Sequence, residues 1–130
     1  MIADPNRVPD RSWREKFQDA FRGVWWGVRG QKSFYIHFFF TAAVVVAGCI
    51  FQVDRTEWCL LILCIAGVLT AEMFNSALEW LIRSLPEGGH PQLGSALDIG
   101  SAAVLIASIG SVIIGLLVFM PHLLKLFSSG

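Results

Sequence analysis

Apolar and polar positions alternate in four blocks along the chain. From Ser12, an N-cap residue followed three positions later by Glu15, the apolar residues Trp13, Phe17, Phe21, Val24, Trp25 and Val28 recur at helical spacing. Arg14, Lys16, Asp19, Arg22 and Arg29 take much of the opposite face, which predicts an amphipathic surface helix over 12–30, suited to lying at a headgroup plane. Three long apolar runs follow, and they predict membrane-spanning helices at 34–53, 58–85 and 96–127. The Asp54–Glu57 link between the first two is expected to be a tight reversal, so the second span returns antiparallel to the first. The stretch from Ser84 to Gly94 gathers two prolines and three glycines and reads as a loop, with Gly94 or Ser95 starting the third span. Residues 1–11, which carry Pro5 and Pro9, are expected to form a flexible tail.

Composition agrees with this pattern. The chain has 130 residues, 55% of them hydrophobic, and a mean hydropathy of +0.60. One all-α membrane domain is the expectation. Ten basic and ten acidic residues cancel, so no global field favours nucleic acid. Their placement says more: Arg7, Arg11, Arg14, Lys16, Arg22, Arg29 and Lys32 all precede the first apolar run. The positive-inside rule then puts the N-terminus in the cytoplasm, the 54–57 link outside and the 84–97 loop inside. The N-terminus lacks the pattern of a cleaved signal peptide, so the first span is expected to direct insertion. Cys49, Cys59 and Cys64 fall inside apolar runs without metal-site spacing and are expected to be buried small hydrophobes.

The middle run holds the chemistry. Glu72, Asn75 and Glu79, spaced by three and four, share a wedge of roughly 60° on one helix face. A carboxylate at bilayer depth costs about 2.5 kcal/mol or more, so such groups face a protein interior, a cation or a wet cavity. Asp98, in the opening turn of the third span, falls near the same cytoplasmic surface. His37, near the cytoplasmic end of the first span, is expected to cap, to snorkel to headgroups or to touch phosphate, in a structural or interfacial role ahead of a chemical one. Acidic and amide groups within reach of cytosol and lipid suit phosphoryl transfer, which needs a base, a cation and ligands for it. No phosphate-binding loop of the soluble kinases is present.

The run Glu72-Met-Phe-Asn75-Ser-Ala-Leu-Glu79, followed by Asp98-Ile-Gly-Ser-Ala-Ala-Val-Leu-Ile-Ala, resembles the signature of the prokaryotic diacylglycerol kinase and undecaprenol kinase family, over about Phe21 to Phe119. The resemblance implies an inner-membrane homotrimer with sites shared between subunits. Each subunit would have a surface helix and three spans, and would use Mg2+ and ATP to phosphorylate a lipid alcohol. It further implies Glu72 as general base, Asn75 as its polar neighbour in the catalytic site, and Glu79 as metal ligand. Gln31 would be a second metal ligand, and Asp98, Glu79 and Lys32 would lie on the nucleotide side. Three positions depart from the family pattern: Gln31 stands for a glutamate, Arg83 for an aspartate and Leu97 for a lysine. Two other readings follow from these residues: a kinase-fold protein that binds lipid or nucleotide without turnover, and a small oligomeric ion or proton conductor using the intramembrane carboxyls.

Overall fold

A computed structural model of the chain describes residues 10–29, 32–86 and 89–129. They form four helices: α1 (Trp13–Arg29), α2 (Lys32–Ile50), α3 (Arg55–Arg83) and α4 (Pro91–Ser128). The expected all-α architecture is observed. The chain divides into two units, residues 1–30 and 31–130.

In the first unit, Ser12 starts α1 with the capping box that its sequence predicts. The Glu15 amide donates to Ser12 Oγ at 3.3 Å, and the Ser12 amide donates to the Glu15 carboxylate at 3.1 Å. Trp13, Phe17, Phe21 and Trp25 are exposed and leave an uncovered apolar stripe on the helix. Cations lie against that stripe: Lys16 Nζ sits 4.8 Å from the Trp13 ring centroid, and the Arg29 guanidinium sits 4.8 Å from that of Trp25. Asp19 ties the polar face together by pairing with Arg11 and Arg22.

The second unit holds the three helices long and apolar enough to cross a membrane: α2 with 19 residues, α3 with 29 and α4 with 38. α4 packs extensively along α3, and α2 packs against α3 more sparingly. Small residues set the close α3–α4 approach, and Ser111 Oγ crosses it to the Cys64 carbonyl at 3.5 Å while also donating to Ala107 O at 2.9 Å. Most of the large apolar side chains of these helices point outward. Cys49 and Cys59 are among the outward-facing residues, contrary to the buried position expected of them; only Cys64 is half-buried, because it lies on the face of α3 that meets α4.

The helix boundaries differ from expectation at both links. The reversal between α2 and α3 is Phe51–Asp54, with Gln52 in the left-handed region at φ 50°. Asp54 is the N-cap of α3, and its capping box with Glu57 draws Arg55–Glu57 into the helix instead of leaving them in the link. α4 begins at Pro91, four residues before Ser95, because proline at a first helical position forfeits no hydrogen bond and Gly94 is carried inside the helix. Pro121 also lies within α4. A small core closes the end of the unit at the α2–α3 link: Val53, Leu61 and Val118, with Val44, Phe51, Trp58, Ile114 and Phe119 packed on it.

Candidate active site

The antiparallel course of α2 and α3 brings the start of one beside the second half of the other, and the buried acid sits at that crossing. Glu72 is 4% exposed, which within hydrocarbon demands a compensating partner for each oxygen. α2 provides both. Ser33 Oγ donates to Glu72 Oε1, and His37 Nε2 lies 3.2 Å from Glu72 Oε2. Ser33 and His37 are four residues apart on one face of α2, so they approach the carboxylate from the same side.

One turn further along α3 the stripe turns to α4. Asn75 is 8% exposed, and its Nδ2 donates to Glu79 Oε1 at 3.2 Å. Its Oδ1 is buried without a hydrogen-bond partner, as is Ser76 Oγ. Gly100 of α4 passes directly over that oxygen. Glu79 is half-buried at the C-terminal end of the stripe, and the largely exposed Arg83 lies 3.6 Å from its other carboxylate oxygen. The three residues expected to share one helix face therefore do so, but they have different surroundings. Glu72 is held by α2, Asn75 is covered by α4, and Glu79 reaches toward the open end.

The remaining expected site residues are not drawn into this cluster. Asp98 is exposed and, among the described residues, forms no hydrogen bond or ion pair. It lies two residues before Gly100, about 200° round the helix from the position that meets Asn75. Lys32 is exposed at the start of α2. Gln31 lies outside the described residues. Among the described residues there is no group of three or more His, Cys, Asp or Glu side chains that could enclose a metal ion.

Ser33 is the residue that sequence reasoning missed, and His37 is singled out by it without its partner Glu72. The His37 side chain does not reach outward: it is 16% exposed and directed at Glu72. The sequence signal was there in principle, since His37 is the one strongly polar side chain near the entry end of the 34–53 run.

Residues 18–119 match the family described as prokaryotic diacylglycerol kinase. The chain belongs to that family. It is 32% identical to the undecaprenol kinase of Bacillus subtilis over 109 residues, covering 84% of this chain and 89% of that protein. Identity to the diacylglycerol kinase of Escherichia coli K12 is 40% over 78 residues, or 60% of this chain and 64% of that protein. For the diacylglycerol kinase of Synechocystis the figures are 32% over 111 residues, 85% of this chain and 63% of that protein. Membership makes lipid kinase the class of this protein.

Proposed function

We propose that this protein phosphorylates a membrane lipid alcohol, diacylglycerol or undecaprenol, with ATP as donor, at the cytoplasmic face of the bacterial inner membrane. The observation that carries the reading is a carboxylate held at bilayer depth by two partners and continuing, one helical turn at a time, into Asn75 and Glu79 at the open end of α3. A lipid hydroxyl meets the buried end, and a soluble triphosphate meets the open end. The substrate names come from the relatives, and the arginine-rich segment before α2 supports a cytoplasmic N-terminus.

Glu72 is the general base. It accepts the hydroxyl proton as that oxygen forms its bond to the γ-phosphorus, and the bond from the γ-phosphorus to the bridging oxygen breaks to leave ADP. Asn75 orients Glu79 through its amide. The donor set fits Mg2+ held chiefly by phosphate oxygens, with Glu79 as its one carboxylate and Gln31 as a second, uncharged ligand. When bound, the ion would neutralise charge on the phosphates. Asp98 and Lys32 serve the nucleotide side. Because Asp98 is exposed and turned away from Asn75, it completes a site only from a neighbouring subunit, which is the support for a homotrimer with shared sites.

The test is purified protein with Mg-ATP and a panel of lipid alcohols. Transfer of the γ-phosphate to diacylglycerol or undecaprenol, abolished by Glu72→Gln and by EDTA, is the expected result. No product from any lipid, together with no ATP binding, would end the reading. A specific feature supports an alternative: Gln31 and Leu97 replace charged residues of the family pattern, as in a protein that binds without turnover. Activity that appears only in the Gln31→Glu, Leu97→Lys double variant would favour it.

A further inference from the structure

We infer that His37 is a positioning residue for Glu72: its Nε2–H fixes the orientation of the carboxylate that takes the hydroxyl proton. The inference deepens the lipid kinase reading above and rests on it.

An acid that is 4% exposed and deep in an apolar helix needs a hydrogen-bond partner for each carboxylate oxygen. Here both oxygens are engaged from α2, Oε1 by Ser33 and Oε2 by His37 at 3.2 Å. The other charged groups at this end are occupied or remote. On α3, Glu79 bonds with Asn75 and Arg83. On α4, Asp98 is exposed, and on α2 so is Lys32. His37 is thus the ionisable side chain in contact with Glu72 among the described residues.

The two tautomers of a neutral imidazole have opposite consequences. With the proton on Nε2, His37 donates to the carboxylate and leaves Glu72 able to accept a proton. With the proton on Nδ1, the same contact requires a protonated Glu72, which cannot act as base. A working base therefore requires the Nε2–H form. Ser33 alone leaves one oxygen unrestrained, so the carboxylate plane is set only by the pair. His37 is itself well placed to act as a restraint. Its side chain is 16% exposed, and its carbonyl accepts from Thr41 Oγ1 at 2.7 Å, one turn on.

Leucine at position 37 removes the donor, whereas glutamine keeps an N–H of similar reach. For His37→Leu, kcat should fall about 30-fold or more while KM for Mg-ATP and for lipid stays within about threefold, because the lost interaction acts on the chemical step. For His37→Gln, kcat should return to within about fivefold of the parent. Size-exclusion in detergent checks that both variants keep the parent's assembly. In protein labelled with 15N-histidine, the His37 Nε2 resonance should be that of a protonated nitrogen and should shift in Glu72→Gln. Unchanged kcat in His37→Leu, equal losses in both His37 variants, or an unprotonated Nε2 would each overturn the inference while leaving the kinase reading intact. An inactive parent would instead overturn that reading and the inference with it.

Discussion

Gly100 passes so close to Asn75 that a β-carbon built on it would stand 2.6 Å from Asn75 Oδ1 and 3.1 Å from Leu78 Cδ1. The contact joins α4 to the middle of the polar stripe. Asn75 is buried, so its amide has little room to retreat. Gly100→Ala should therefore displace either the amide that holds Glu79 or α4 itself. We expect kcat of the lipid kinase reaction to fall about tenfold or more, with thermal stability lowered by about 1–3 kcal/mol as for other overpacked contacts. A Gly100→Ala enzyme with parental kcat would show that Asn75 need not stay where it is.

At the opposite end, Gly48 bears the same relation to Trp58. A β-carbon there would lie 2.6 and 2.9 Å from two atoms of the indole. That ring packs on the core of Val53, Leu61 and Val118, far along α3 from Glu72. Gly48→Ala should cost stability, about 1–3 kcal/mol by thermal unfolding in detergent, while KM and the pH profile of the remaining folded enzyme stay those of the parent. A loss of turnover in a fully folded variant would mean that this core communicates with the site.

Much of this architecture was legible because local chemistry dictated it. The Ser12–Glu15 box, the three apolar runs and the three-four spacing of Glu72, Asn75 and Glu79 are properties of single segments. What was not legible depended on registration between segments. The short link sets α2 antiparallel to α3, but it does not fix the rotation that turns Ser33 and His37 onto Glu72, nor the placement of Gly100 over Asn75. Asp98 shows the converse: it lies on a face of α4 that a single chain does not bring to the stripe. The loop was overestimated for a local reason, since Pro91 and Gly94 punctuate loops in general but are both tolerated in α4.

Glu57 does two things at the end of the unit beside the α2–α3 link. Its Oε2 accepts from the Asp54 amide at 3.3 Å, as part of the N-terminal cap of α3, and lies 2.9 Å from His122 Nε2 of α4. Phe51 lies beside the same imidazole, with ring centroids 6.1 Å apart. One carboxylate thus ties a helix start to the far end of the neighbouring helix. Asp54→Ala should cost about 1 kcal/mol, the usual worth of a cap. Glu57→Ala should cost more, because it loses the cap partner and the interhelical bond together. A double-mutant cycle between positions 57 and 122 should then give a coupling energy of about 0.5 kcal/mol or more by thermal unfolding. Strict additivity would show that the pair contributes nothing to holding α4.

Arg83 sits where the family pattern has an aspartate, and its guanidinium is 3.6 Å from Glu79 Oε2. If Glu79 ligates the cation, Arg83 competes with the cation for the same carboxylate. The guanidinium side of the pair is largely exposed, so the competition is weak, worth at most about 1 kcal/mol. Arg83→Ala should accordingly lower the Mg2+ concentration for half-maximal activity by about two- to fivefold and leave kcat at saturating Mg2+ unchanged. The difference should shrink as ionic strength approaches 1 M, where the screening length falls to about 3 Å. Titrating Mg2+ at low and high salt in parent and variant checks both statements. A variant with the parental Mg2+ requirement at low salt would remove Glu79 from the cation's coordination, and the search for the carboxylate ligand would pass to Asp98 of a neighbouring subunit.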